Sequence, residues 1–185
     1  MVPFLDLRPS VAEVRSEIDR SVARVLDSGC YILGQEVEVF EDDFARYCGM
    51  RHCIGVGSGL DALILALRGL GIGEGDEVIV PTNTYIATWL AVSDVGARPV
   101  PVEPDEKTFN LDAQGAAAAV TSRTRAILAV HLYGHTAALG ELRAVADRHG
   151  LALIADAAQA HGADLDGCTS AFSFYPTKNL GALGD

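Results

Sequence analysis

The chain has 185 residues, of which 49% are hydrophobic and 21% charged, and this balance predicts a soluble globular protein with one α/β domain over residues 1–185. Its 25 acidic and 14 basic residues give a net charge of −11, which argues against the phosphate backbone of a nucleic acid as a partner. The chain has no apolar run of membrane-spanning length and no basic-then-apolar secretion signal at its start, so we expect a cytoplasmic protein.

Two amphipathic helices are predicted in the first 50 residues. Ser10 and Glu13 form a capping-box pattern, apolar residues then recur at helical spacing, and Gly29 follows as a stop signal. A second apolar face runs from Val37 to Tyr47.

From residue 53 onward, short apolar runs alternate with helical stretches. The predicted strands are residues 53–56, 77–81, 98–102, 126–130, 151–155 and 171–174, and the predicted helices are residues 60–70, 84–95, 112–121 and 138–149. This alternation favours a mostly parallel sheet with helices on both faces. Active-site residues are then expected at the carboxyl ends of the strands.

A glycine-rich turn follows the first predicted strand. The sequence from Gly55 to Gly59 is GVGSG, and Leu60 stands where a dinucleotide fingerprint needs glycine. Backbone amides and a hydroxyl at the start of a helix form a general anion site. The alternative is a tight turn in which Ser58 only caps the helix.

Two histidines and four cysteines could suggest a metal site. His131 and His135 are four residues apart, but they follow a strand and have no acidic neighbour in sequence, so we expect no metal there. The cysteines show no CxxC spacing and are interpreted as reduced thiols, with disulfide pairing left open: Cys30, Cys48, Cys53 and Cys168.

The most informative residues follow the last two predicted strands. Asp156 and Gln159 come directly after LALIA, and Lys178 lies in a turn after AFSF. A carboxylate, an amide and a lysine suit a site for pyridoxal phosphate (PLP), because the lysine bonds to the aldehyde and the carboxylate keeps the pyridine nitrogen protonated. Taken singly, a surface lysine and a capping aspartate would be the simpler interpretations, but the combination favours the cofactor site.

The segments SFYPTKNLGALGD and DAAQAHGA resemble the DegT/DnrJ family of PLP-dependent sugar-nucleotide aminotransferases, which share fold type I with aspartate aminotransferase. The resemblance runs from FLDL near the start to the final GD. It implies that Lys178 is catalytic, that Asp156 contacts the pyridine nitrogen and that Gln159 lies near the ring hydroxyl. It also implies a stacking aromatic, Tyr85, a cavity lined by the segment HLYG, and a phosphate site formed by Gly57, Ser58, Gly59 and Ser173.

The resemblance further implies a reaction and partners. The reaction is transamination from L-glutamate to a dTDP-linked keto-deoxysugar, with a 3-keto sugar favoured. The enzyme is expected to be a homodimer that acts in the deoxysugar biosynthesis of antibiotics. A PLP-dependent sugar dehydratase is a rival, disfavoured because Lys178 stands where that enzyme has histidine. A non-catalytic remnant that serves as a dimerisation or interaction module is a third possibility.

The sequence departs from the family pattern in two places. Family members continue into a glycine-rich strand and a separate C-terminal domain, which supplies an asparagine for the cofactor phosphate across the dimer. We therefore expect this chain to represent the N-terminal large domain, a truncated form without the small domain. The loop over residues 162–171 is also shorter than in the family, which would displace Ser173 relative to Asp156.

Overall fold

The computed structural model describes residues 3–184, so the terminal residues of the predicted 1–185 domain lie outside the described part. The chain divides into two compact units, the first ending at Gly55 and the second starting at Val56. The first unit contains two helices, α1 (Arg8–Ser28) and α2 (Gln35–Tyr47). Although α1 has 21 residues, neither it nor any other helix of residues 3–184 is long and apolar enough to cross a membrane.

The ends of α1 confirm one sequence prediction and correct another. Gly29 adopts the left-handed conformation that ends the helix, as predicted. The capping box is wrong, because the helix begins two residues before Ser10 and Leu7 makes no side-chain cap hydrogen bond. Pro9 lies in the first turn, where its fixed φ favours the helix and its missing N–H costs nothing.

The second unit is built on a five-stranded parallel sheet in the order β2-β1-β3-β4-β5. Two predicted strands are wrong: residues 53–56 form none, and the strand predicted over 171–174 ends at Ala171. The observed strands are β1 (Glu77–Pro81), β2 (Arg98–Val102), β3 (Thr124–Val130), β4 (Ala152–Asp156) and β5 (Thr169–Ala171).

Helices cover both faces of this sheet, as the alternating pattern predicted. Val78 and Val80 of β1 pack in one buried cluster with residues of α3 and α4, whereas Ile79 between them packs with residues of α5 and α6. Successive side chains of a strand point to opposite faces, so the almost fully apolar strands supply both clusters. The helices are α3 (Gly59–Gly69), α4 (Ile86–Asp94), α5 (Ala113–Ala118) and α6 (Leu139–His149).

The strand order places a crevice at the carboxyl ends of β1 and β3. From β1 the chain crosses to β2 on one side, and it then returns to β3 on the other side. Such a reversal leaves a gap outside the strand ends, where parallel sheets bind ligands. The segments that leave β1, β3 and β4 at this edge begin at Thr82, His131 and Ala157.

Candidate active site

A cavity of about 660 Å³ opens at this edge of the sheet. Its volume lies within the range of roughly 300–1,000 Å³ typical of small-molecule sites. The structure brings seven of the eight predicted site residues to its wall and leaves Gly57 just outside it: Ser58, Gly59, Tyr85, Asp156, Gln159, Ser173 and Lys178 line the cavity.

Asp156 is a buried carboxylate at the end of β4, with 8% of its surface exposed. Its Oδ2 accepts a hydrogen bond from Thr88 Oγ1 at 2.8 Å, and its Oδ1 accepts one from the backbone N–H of Ala158 at 3.1 Å. Burial raises the pKa of Asp156, while these two hydrogen bonds and the positive charge of Lys178 act in the opposite direction. The carboxylate therefore favours a cationic ligand group beside it.

Lys178 lies half-buried in the turn after Phe174. Its backbone N–H donates to the carbonyl of Tyr175 at 2.8 Å, which fixes this turn. The chain has only one other lysine, Lys107, and that residue is exposed in the loop between β2 and α5. Lys178 is thus the one lysine among the residues that line the cavity together with the buried carboxylate.

Ser58 caps α3 at the cavity wall. Its Oγ accepts a hydrogen bond from the backbone N–H of Asp61 at 3.1 Å and lies 3.0 Å from Asp61 Oδ2, to which it donates. The capping alternative is therefore confirmed for this serine, and an anion at the same turn would compete with Asp61 for the hydroxyl proton. The free N–H groups and the positive end of the helix dipole at this terminus suit an anionic group.

Gly59 lets the start of α3 approach the segment after β5. A Cβ added there would lie 2.8 Å from Ser173 Cβ and 3.1 Å from the backbone oxygen of Phe172. We expect Gly59→Ala to lower the free energy of unfolding by about 1–3 kcal/mol, because the two backbones must separate. Gly69→Ala is the matched control at the other end of the helix, where no atom lies within 4 Å.

Urea titration of both variants tests this contact. Gly69→Ala should leave the chain as stable or up to about 1 kcal/mol more stable, since alanine is the better helix former. Equal stabilities for the two variants would mean that Gly59 is not needed for the close approach.

Gln159 is fixed by the turn that follows β3. Its Oε1 accepts a hydrogen bond from the backbone N–H of Tyr133 at 2.9 Å. Tyr133 has a φ of 56°, a left-handed conformation that is uncommon for a tyrosine. With its oxygen engaged, the amide of Gln159 has its two N–H donors available for a hydroxyl or oxyanion.

Tyr85 stands at the rim of the cavity with 75% of its surface exposed. It is the residue that precedes α4, and its side chain makes no cap hydrogen bond. This exposure shows that Tyr85 is not a core residue.

The two histidines near the site have separate surroundings. His131 is 1% exposed and lines the cavity, as expected for HLYG, and its Nδ1 accepts a hydrogen bond from the Ala137 N–H at 2.9 Å. Burial lowers the pKa of His131 to about 4, so its ring is neutral at pH 7. The Nδ1 atom of His161 lies 2.7 Å from Asn179 Oδ1.

The short loop over residues 162–171 does not separate Ser173 from Asp156. Strand β5 pairs with β4 so that Asp156 stands opposite Ala171, and Ser173 follows two residues later at the same edge. Both side chains are buried and line the cavity.

Sequence reasoning missed two threonines that lie at the site. Thr84 lines the cavity, and Thr88, which is fully buried, donates to Asp156. The available signal was a pair of hydroxyls four residues apart, the second on the apolar helix IATWLAV.

The side chains together suit a ligand with three features. A cationic ring nitrogen would satisfy the buried carboxylate of Asp156, an anionic group would suit the start of α3, and a carbonyl carbon could be attacked by the amine of Lys178.

Comparisons with known proteins show which family this chain resembles. A family model described as the DegT/DnrJ/EryC1/StrS aminotransferase family matches residues 12–185. A dTDP-3-amino-3,4,6-trideoxy-alpha-D-glucose transaminase of Streptomyces venezuelae is 60% identical over the whole chain, which covers 50% of that protein. The chain therefore spans about half the length of the curated relatives it matches.

Solved structures give the same result. The S. venezuelae protein DesV, 60% identical, superposes with a TM-score of 0.95 over 100% of this chain and 52% of its own. NtdA of Bacillus subtilis, solved with bound cofactor PMP, is 36% identical and superposes with a TM-score of 0.94 over 99% of this chain and 43% of its own. These similarities confirm the large-domain fold of a fold-type-I aminotransferase.

Proposed function

Because the chain belongs to the DegT/DnrJ/EryC1/StrS aminotransferase family, we propose that its cavity binds PLP and that it is the cofactor-binding part of a sugar aminotransferase. The single observation that carries this proposal is the presence of one buried carboxylate, Asp156, and one lysine, Lys178, on the wall of the same cavity. A structural ion pair would bring the two groups into contact; here a cavity of about 660 Å³ lies beside both.

Each residue has a defined task in this proposal. Asp156 would keep the pyridine nitrogen protonated, Gln159 would donate to the ring hydroxyl, and Tyr85 would stack on the ring. The start of α3 would hold the phosphate, since Gly57, Ser58 and Gly59 offer backbone N–H groups and a hydroxyl there, and Ser173 would add a second hydroxyl.

Lys178 has two roles. Its Nζ would hold PLP through the aldehyde carbon, with release of water, and its amine would serve as the base that takes the proton from the Cα of the amino donor. Bound PLP supplies the electron sink that stabilises the resulting negative charge. Lys178 is half-buried and lines the cavity, where the amino donor must bind.

We propose L-glutamate as the amino donor and a dTDP-linked keto-deoxysugar, with the ketone at C3 favoured, as the acceptor. The enzyme is proposed to be a cytoplasmic homodimer that acts in antibiotic deoxysugar biosynthesis. The similarity to the S. venezuelae transaminase, which is named for a 3-amino dTDP-sugar, supports this choice. The net charge of −11 does not argue against a nucleotide-linked acceptor, because the diphosphate of that sugar needs only a few hydrogen-bond donors in the site.

The test follows the amino group. Purified chain is loaded with PLP and mixed with ¹⁵N-labelled L-glutamate, then with a dTDP-linked 3-keto-deoxysugar, and the products are analysed by mass spectrometry. We expect 2-oxoglutarate in the first step and ¹⁵N in the sugar in the second. A dehydratase would instead release water from the sugar without transferring nitrogen, and a non-catalytic module would give neither product.

A further inference from the structure

Asp156 is supported by a short chain of hydroxyl groups that comes from a different part of the sequence. Thr88 Oγ1 lies 2.8 Å from Asp156 Oδ2, and Thr84 Oγ1 lies 2.8 Å from Thr88 Oγ1. Thr88 is fully buried in α4, whereas Thr84 is partly exposed and lines the cavity. The two threonines thus connect the cavity wall to the carboxylate at the end of β4.

The direction of these hydrogen bonds follows from the number of protons. An ionised carboxylate only accepts, so the single hydroxyl proton of Thr88 must point to Asp156 Oδ2. Thr84 is then the donor to Thr88, and the two dipoles align toward the negative charge. Hydrogen bonds to an ionised acceptor are about twice as strong as neutral ones, so this arrangement favours the ionised form of Asp156.

Packing keeps the donor in place. Trp89, the residue after Thr88, donates through Nε1 to the carbonyl of Pro81 at 3.1 Å, which fixes α4 at the end of β1. The Thr88 hydroxyl is buried and has no contact with solvent. Without Asp156 it would therefore lose a hydrogen bond that bulk water could not replace.

The other groups that act on Asp156 are few. The N–H of Ala158 donates to Oδ1, and Lys178 contributes positive charge from its turn. His131, whose backbone N–H donates to the carbonyl of Asp156, is neutral at pH 7. In the described residues, Thr88 therefore supplies the one side-chain hydrogen bond that this carboxylate accepts.

We propose that Thr88, backed by Thr84, is a positioning residue that orients the carboxylate of Asp156 and holds it in the ionised form that a cationic ring nitrogen requires. The part of the proposal that concerns the ring rests on the proposed function. Because Thr84 directly precedes Tyr85, the same hydroxyl chain also ties the segment of the predicted stacking aromatic to the acid.

The first test needs no cofactor. The carboxyl ¹³C resonance of Asp156 is followed against pH by NMR in the cofactor-free chain, in wild type and in Thr88→Val, which keeps the shape of the side chain and removes the hydroxyl. We expect Thr88→Val to titrate at higher pH than wild type and Thr88→Ser to titrate near wild type. Identical titration of Thr88→Val and wild type would overturn the proposal.

The second test measures PLP affinity against pH. Affinity should fall as the pH falls through the pKa of Asp156, because a protonated carboxyl no longer attracts the ring cation. In Thr88→Val this fall should occur about one to two pH units higher, the shift expected in the pKa of Asp156 for one lost hydrogen bond to its ionised form. A uniform loss of affinity, with an unshifted pH profile, would indicate a structural role only and would overturn the proposal.

A second variant covers the case in which Thr88→Val does not fold. Thr84→Val lies just before α4 and removes only the outer hydroxyl, so it should shift both profiles in the same direction by a smaller amount. If neither the titration of Asp156 nor the pH profile of PLP affinity shifted in Thr84→Val, the proposed role of the hydroxyl chain would be rejected. If wild type binds no PLP, the proposed function fails, while the titration of Asp156 in the cofactor-free chain still decides the role of the threonines.

Discussion

Lys178→Ala is expected to abolish covalent attachment of PLP and to lower the rate of amino transfer by at least about 10²–10⁴-fold, the usual contribution of a positioned acid–base group. Alanine removes both the amine that bonds to the aldehyde and the base that takes the proton from the donor Cα. Attachment is measured as the visible absorbance that PLP acquires on a lysine and that borohydride removes.

The chain offers a matched control for this variant. Lys107, its only other lysine, is exposed and lies away from the cavity lining. Lys107→Ala should therefore keep the absorbance and the rate of wild type. If Lys178→Ala retained the absorbance and Lys107→Ala lost it, the assignment of the catalytic lysine would be wrong.

Asp156→Asn is expected to weaken PLP binding by about 10- to 100-fold. Asparagine keeps the size of the side chain but removes the negative charge, and a hydrogen bond to a charged group contributes about 1.5–3 kcal/mol. The neutral amide also no longer favours a protonated ring nitrogen, so amino transfer should fall even at saturating PLP. Equilibrium dialysis gives the affinity, and single-turnover mixing with L-glutamate gives the rate.

Asp94→Asn serves as the control for charge alone. Asp94 is exposed at the last residue of α4, and it does not line the cavity. The same change of net charge should leave PLP affinity unchanged there. Equal affinities of Asp156→Asn and wild type would show that the buried carboxylate does not contact the ring nitrogen.

Much of the fold could be predicted because local pattern and tertiary environment agree. The runs EVIVP and RPVPV were assigned to the residues that form β1 and β2, since each is bounded by turn residues and is apolar enough for a covered sheet. The run CIGV has similar composition but no strand partner, and Ile54 is 78% exposed. Composition alone does not tell whether a neighbouring strand is present.

The residues of the candidate site also divide into those that local sequence pattern reveals and those that only the tertiary structure reveals. Asp156, Gln159 and Lys178 could be found because Asp156 ends a strand and the other two follow one, and parallel strands bring their carboxyl ends to one edge. Thr88 was missed because its partner lies 68 residues away in sequence and only the packing of α4 brings the two together. The second role of Ser58, as the cap of α3, was correctly kept open by its position before a helix.

The proposed function requires that PLP bonds to one particular amine of this chain, that of Lys178. The most direct measurement is borohydride reduction of the PLP-loaded chain, followed by proteolysis and mass spectrometry of the lysine-containing peptides. We predict a reduced pyridoxyl group on Lys178 and none on Lys107. A label on Lys107 or on the terminal amine, or a chain without any label, would contradict the account.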